Sequence, residues 1–258
     1  MRRKVAYFIL GMGVLFLYLI KPRFKNKKKL RKFLKWNYAH RGLHGGDRAE
    51  NTLSAFKAAV NNGYAIEMDA RSCKDRVVIH HDEDLKRSVG VDMRLDELDF
   101  ASLGNYYLFG GKETIPSLEE ALEVVDSKVP ILLEIKSEKN HFKNASDVQA
   151  IMDKYEGPYL IESFHPLVLL WYRLHRPEII RGQLSAGNVE EGFFTSTAMA
   201  LLLFNIISRP DFIAYEKKGG LSPCLLYLLG TPSFVHTLRS HSERKWYFNV
   251  SIFEDYLP

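Results

Sequence analysis

From Asn37 onward the chain alternates short apolar or β-branched runs with segments of helical period, and nothing else in it constrains the fold as strongly. The strand-like runs are NYAHR (37–41), YAIEMDA (64–70), VVIHH (77–81), PILLEIK (130–136), YLIESF (159–164), IIRGQLS (179–185), DFIAYE (211–216) and FVHTLR (234–239). These eight runs, with helices between them, predict a TIM-like (β/α)8 barrel. TLSAFKAAVNNG sets Leu53, Phe56 and Val60 on one helical face and ends in Gly63, a residue suited to a left-handed helix end. PSLEEALEVVD places Pro116 in a first turn and Leu118, Leu122 and Val125 on one stripe. HPLVLLWYRLHRP repeats the pattern with Leu167, Leu170, Trp171 and Leu174. Two features fit less well. Too few residues separate the second and third runs for a crossover helix, and 85–115 looks irregular. An open doubly wound sheet is the alternative architecture.

A leader precedes this body: MRRK, then VAYFILGMGVLFLYLI (5–20), then KPRFKNKKKLRKFLK. Residues 1–35 carry 12 of the 36 Lys/Arg and none of the 31 Asp/Glu, so residues 36–258 hold 24 basic against 31 acidic groups, a balance of −7. The net charge of +5 therefore comes from the leader, and the acidic body gives no footing for nucleic acid. With 46% hydrophobic and 26% charged residues the chain is not disordered, and two cysteines cannot form a disulfide framework. The 16 uncharged residues of 5–20 approach the roughly 20 needed for a span, with Lys4 and Lys21 able to snorkel. No small-residue cleavage site follows, which favours an uncleaved single-pass anchor over a signal peptide or an interfacial helix. Nine basic residues follow the run and three precede it, which puts the C-terminal flank and its domain on the cytoplasmic side of the cell membrane. The expected layout is an anchor at 1–20, a basic linker at 21–36 and a barrel at 37–258, with no barrel element in the first 35 residues.

Barrel strands should be apolar, so their ionisable residues are informative. His40 and Arg41 end the first run, Glu67 and Asp69 the second, His81 the third, Glu134 and Lys136 the fourth. Side chains two apart in a strand share a face, and in a parallel barrel all these ends meet at one rim. Each group has an ordinary explanation: a solvated histidine, an acidic pair on an edge strand, a Glu–Lys salt bridge. Seven of them ending four successive apolar runs do not. Three carboxylates at one point need a positive charge between them, and a hard divalent cation with oxygen ligands supplies it. With two imidazoles, an Arg and a Lys, the set suits a phosphodiester: the cation and Arg41 to hold phosphoryl oxygens, one His to accept a proton, the other to give one.

The series AHRG (39–42), ENT (50–52), AFKAAV (55–60), IEMDA (66–70), CKD (73–75), HHDEDLKR (80–87) and LLEIKS (132–137) resembles the glycerophosphodiester phosphodiesterase family, and the likeness runs on through ESF (162–164), RGQLS (181–185) and PDFIAYE (210–216). The layout with an N-terminal anchor is similar to membrane-anchored bacterial members. The resemblance implies a metal-dependent TIM-barrel enzyme that cleaves glycerophosphodiesters to glycerol 3-phosphate and an alcohol, the glycerol hydroxyl beside the phosphate attacking first and water completing hydrolysis. It implies His40 and His81 as the acid–base pair, Arg41 as a phosphate ligand with Lys136 beside the site, and Glu67, Asp69 and Glu134 as ligands of Ca²⁺ or Mg²⁺. It also implies that Glu50 orders the first loop. Ala49, Arg76, a shortened 74–82 stretch and His236 depart from the family pattern, and the last of these bears on the pocket for the alcohol or glycerol. His80 competes with His81, but H-D-x-x-L-x-R fits only His81. The apolar run AMALLLFNII (198–207), read either as a buried barrel helix or as a lip facing lipid, keeps lysophospholipids open as substrates. A membrane-tethered binding module without turnover is the alternative from another class.

Overall fold

The computed structural model describes residues 2–23, 25–136, 139–186, 193–218 and 221–258, so Met1, Phe24 and Ser137 of the stretches named above lie outside the described residues. Its strands are β1 (Tyr38–Ala39), β2 (Ala65–Ser72), β3 (Val77–Ile79), β4 (Ile131–Ile135), β5 (Tyr159–Ser163), β6 (Arg181–Ser185), β7 (Phe212–Glu216), β8 (Ser233–Leu238) and β9 (Val250–Phe253). Helices α1 (Arg2–Ile20) and α2 (Lys27–Leu30) precede them. The helices between strands are α3 (Leu53–Asn61), α4 (Lys86–Val89), α5 (Phe100–Leu103), α6 (Leu118–Val125), α7 (His141–Met152), α8 (Pro166–His175), α9 (Phe193–Ala200), α10 (Asn205–Ser208) and α11 (Leu221–Leu228).

Eight strands pair in parallel in the order β1-β2-β4-β5-β6-β7-β8-β9, and β9 pairs back onto β1, which closes the barrel. The eight staves are not the eight runs read from the sequence. VVIHH is no stave: β3 folds back antiparallel on β2, with Ala70 opposite Ile79 and Ser72 opposite Val77. Its short connection permits a hairpin and forbids a crossover. The eighth stave is instead Val250–Phe253, whose four residues are too brief to signal a strand on their own. The irregular stretch after β3 forms short helices around a satellite core of Cys73, Val78, Leu85, Leu95, Leu98, Leu103, Leu108 and Ile115.

Parity along the staves builds the site. Residues of one face run Ala65, Glu67, Asp69 on β2, Leu132, Glu134, Lys136 on and after β4, and Leu160, Glu162, Phe164 on and after β5. In each, the first residue belongs to the cluster filling the barrel interior, and Glu67, Asp69, Glu134, Lys136 and Glu162 follow toward the strands' C-terminal ends. Gly182 lies against this packing: a Cβ there would fall 2.2 Å from the Phe212 ring. Leu30 and Phe33 enter the same interior cluster, and Arg23 and Asn26 both donate to the buried Asp211 carboxylate. The stretch expected to be a linker thus supplies the floor of the barrel.

The helices are capped as their sequences suggest, with two corrections. Thr52 caps α3, and Gly63 takes a left-handed conformation just beyond its end. Ser117 and Glu120 form a capping box at α6, so Pro116 lies before the helix instead of in its first turn. The inward face of α8 is Val168, Leu169 and Tyr172, while Leu167 and Leu174 are exposed. That helix is apolar nearly all round, so spacing alone could not locate its seam.

Candidate active site

The C-terminal ends of the staves surround a cavity of about 470 Å³, lined among others by His40, Arg41, Glu50, Glu67, His81, Glu134, Lys136, Glu162, His236 and Glu254. Seven of the eight candidates from the sequence line it, and Asp69 lies against them within the acidic cluster. The hairpin brings His81 there. Pairing of β3 with β2 carries the chain back toward the rim, where the His80 N–H donates to the Asp69 carbonyl (2.9 Å) and Arg71 Nη2 donates to the His81 carbonyl (2.7 Å). His80 is buried, its Nε2 3.2 Å from the Asp84 carbonyl oxygen, and it does not line the cavity.

Glu67, Asp69 and Glu134 are buried and offer carboxylate oxygens within 4.8 Å of one another. Burial, with Asp69 and Glu134 as neighbours, pushes the Glu67 carboxyl well above its ordinary range. Burial raises Glu134 too, against the opposing pull of Lys136. Burial would also raise Asp69, but Lys136, His81, Arg41 and a hydrogen bond from Asn51 Nδ2 (2.8 Å) hold it well below the usual carboxylate range. Lys136 Nζ stands 2.8 Å from Glu134 and 3.1 Å from Asp69, and although burial opposes its charge, these two acids raise its pKa. The acids thus outnumber the cations that touch them. Three hard, anionic, mutually repelling oxygen donors suit a divalent cation such as Ca²⁺ or Mg²⁺.

Each imidazole is held by a carboxylate through Nδ1. His40 Nδ1 lies 2.7 Å from Glu254 Oε2, and His81 Nδ1 lies 2.7 Å from Asp82 Oδ1. In both rings this leaves Nε2 for other partners. Burial lowers the His40 pKa, against the raising effect of the Glu254 hydrogen bond. The hydrogen bond from His40 holds Glu254 down at about 2. Arg41 sits in left-handed backbone (φ 53°) and its N–H donates to Glu67 (2.8 Å), while its Nη1 donates to Glu50 (2.8 Å). Gly42 must follow it: φ is +81°, and a Cβ would come within 2.9 Å of the Ala55 backbone. Glu50 also accepts from Arg87 (2.6 Å), and Arg87 donates on to Asp82 (2.6 Å). One chain of ion pairs therefore links Asp82, the carboxylate beside His81, to Arg41.

Sequence reasoning passed over Glu254, Glu162 and Asn51. The first two carry the signal used elsewhere, a carboxylate at or near the end of an apolar run (VSIFE, YLIE), but in runs beyond the first four. Asn51 lies inside the quoted ENT. His236 stands in the far wall with its ring 6.0 Å from Phe164, and burial, with His40 nearby, pushes its pKa down to about 4.

A model of the glycerophosphoryl diester phosphodiesterase family matches residues 40–191. Lysophospholipase D GDPD1 of Homo sapiens is 36% identical over 124 residues, covering 46% of this chain and 38% of that protein. The match thus spans well under half of that relative's length. Glycerophosphodiester phosphodiesterase of Bacillus altitudinis is 27% identical over 187 residues, covering 67% of this chain and 69% of that protein. Among solved structures, an Oleispira antarctica phosphodiesterase in complex with the product sn-glycerol-3-phosphate superposes with a TM-score of 0.71 at 24% identity, over 86% of this chain and 94% of that one. A Parabacteroides distasonis glycerophosphodiester phosphodiesterase gives 0.67 at 17% identity, over 84% and 92%. These likenesses show the fold.

Proposed function

Because the chain belongs to the glycerophosphoryl diester phosphodiesterase family, we propose that it hydrolyses glycerophosphodiesters to glycerol 3-phosphate and an alcohol, with the help of a divalent cation. The observation that supports this best is the meeting of three buried carboxylates, two carboxylate-paired imidazoles and one guanidinium on a single polar cavity.

Glu67, Asp69 and Glu134 would hold the cation. When bound, it supplies a Lewis acid that polarises a phosphoryl oxygen and eases ionisation of the attacking hydroxyl. Arg41, positioned by Glu50, pairs with a phosphate oxygen, and Lys136 adds positive charge beside it. His40 is the base: burial keeps its ring neutral, and Glu254 stabilises the imidazolium that forms when Nε2 accepts the hydroxyl proton. The hydroxyl oxygen bonds to phosphorus as the bond to the alcohol breaks. His81, braced by Asp82, protonates the departing alkoxide. Water then opens the cyclic phosphate, with the two histidines exchanging roles. We further read α1 as inserted in the cell membrane, since residues 3–20 are long and apolar enough to cross one, with the barrel on the cytoplasmic side as the basic flank implies.

A second reading, lysophospholipase D activity on membrane lysophospholipids, draws on the human relative's name and on the exposed apolar residues of 198–207. One assay separates the two. The purified chain is given glycerophosphodiesters and lysophospholipids, with Ca²⁺ or Mg²⁺, and release of glycerol 3-phosphate or lysophosphatidate is measured. Glycerol 3-phosphate as the dominant product supports the first reading and lysophosphatidate the second. No product from either, with cation present, would sink both and leave the binding module.

A further inference from the structure

The apolar helix cannot cross a bilayer while the barrel stays clear of it. Residues 3–15 of α1 are exposed, but Phe16 and Leu17 are half-buried and Ile20 is fully buried, packed with Leu202, Leu203, Leu226 and Tyr227 of the barrel. Polar groups pin this end. Asn205 Nδ2 donates to the Ile20 carbonyl (2.7 Å), Arg209 Nη1 to that of Leu19 (3.3 Å), and the Arg23 N–H to that of Pro210 (2.8 Å). The free part runs 13 residues from Arg3 to Leu15, its outer end set by the charges of Arg3 and Lys4, and at about 1.5 Å each it reaches about 20 Å. The hydrocarbon core is about 30 Å thick. A helix docked in this way falls short by about a third.

The barrel surface around the docked end supplies what is missing. Leu201, Ile206 and Ile207 on the α9–α10 segment, Leu225 and Leu228 on α11, and Trp246 are all exposed. Their chain neighbours Leu202, Leu203, Cys224, Leu226, Tyr227 and Tyr247 belong to the cluster that also holds Phe16, Leu17 and Ile20, which sets these exposed side chains as a collar beside the base of α1. Trp246 packs edge-on against Tyr227 at 5.5 Å, an aromatic pair of the kind that settles at headgroup depth. The exposed Lys28, Lys29, Arg31 and Lys32 lie in the segment that also carries Lys27, and Lys27 reaches within 3.8 Å of a Cβ built at Gly230, just past α11. That places cationic charge beside the collar, complementary to anionic headgroups.

We propose that this collar is a membrane-seating surface: the barrel sinks into one leaflet with Leu201, Ile206, Ile207, Leu225 and Leu228 against acyl chains, so that α1 reaches the far side. The proposal rests on reading α1 as inserted in the bilayer. A second copy of the chain could cover the collar, but it would not lengthen the reach of the helix.

The test uses the full chain in vesicles of phosphatidylcholine and phosphatidylglycerol with brominated acyl chains, which quench fluorophores only at acyl depth. In a Cys224→Ser background, with Cys73 buried and an unlabelled parent as its control, labels are placed through Met12→Cys in the helix, Leu225→Cys and Leu228→Cys in the collar, and Glu123→Cys on the exposed face of α6. Emission at 225 and 228 is expected to fall as far as at 12, with 123 unchanged. Quenching at 12 without quenching at 225 and 228 overturns the proposal, and points to a copy of the chain or another protein as the cover. No quenching at 12 overturns the inserted reading of α1 itself. Because the readout is depth and not turnover, neither result depends on the catalytic assignment.

Discussion

Glu254→Gln tests the site where the structure adds most to the sequence. The carboxylate holds His40 through a 2.7 Å contact whose partners are only 16% and 14% exposed, so solvent screens it little. Gln keeps the shape and can still accept from Nδ1, which isolates the loss of charge. A hydrogen bond to a charged group is worth about 1.5–3 kcal/mol, or roughly 10- to 150-fold at about 1.4 kcal/mol per decade. Glu254 favours the protonated ring, so its removal lowers the His40 pKa. If His40 must be neutral to act, the acidic limb of kcat/KM should move to lower pH by about one to two units, while the plateau falls roughly 10- to 150-fold because the base is weaker. His40→Ala sets the ceiling, a loss of about 10²–10⁴. The assay is a pH profile of phosphodiester cleavage, with thermal melting as a control for folding. An acidic limb that stays in place, or moves to higher pH, would refute the assignment of His40 as the base, since a purely structural Glu254 could cost rate without moving the limb.

Cation binding at Glu67, Asp69 and Glu134 should stabilise the fold: a hundredfold excess over Kd contributes about 2.7 kcal/mol and raises Tm by roughly 5–10 °C for a chain of this size. Glu134→Gln should abolish that shift in a melting experiment, and an equal shift in the variant would remove Glu134 from the ligand set. His80→Ala should keep turnover while lowering stability, whereas His81→Ala should lose about 10²–10⁴ in kcat; the reverse result would put the reacting ring on the buried side of the hairpin. Leu30→Ala should cost about 2–5 kcal/mol in denaturant unfolding, because Leu30 is fully buried in the barrel floor. A change under about 0.5 kcal/mol would return residues 21–36 to the role of a free linker.

The barrel and most of the polar rim were legible because they rest on periodicity and on charge in apolar runs. The count of eight came out right although one run, VVIHH, is no stave and one stave, Val250–Phe253, was passed over. A three-residue hairpin strand and a four-residue stave carry too little pattern to rank against each other, and only the partner strands decide between them. The floor was illegible for a different reason. Leu30 and Phe33 sit among nine basic residues, and a local reading sees a solvated charged segment, whereas Lys27, Lys28, Lys29, Arg31 and Lys32 are exposed, Arg23 turns in to Asp211, and Leu30 and Phe33 are buried. Glu254 was missed because its role is set by His40, a residue 214 positions away.

That separation has a consequence for how the protein comes to be active. His40 follows the first stave and Glu254 the last, and the two meet only at the seam where β9 closes onto β1. Loop closure over such a distance is entropically costly and comes late in folding. A half-formed barrel in which β2 has paired with β4 would already hold its acidic cluster, since Asp69 stands opposite Glu134, and so would bind cations. It cannot brace the His40 ring. Ion binding and proton transfer should therefore appear at different times during refolding, and a stalled or clipped chain would sequester metal without cutting phosphodiesters.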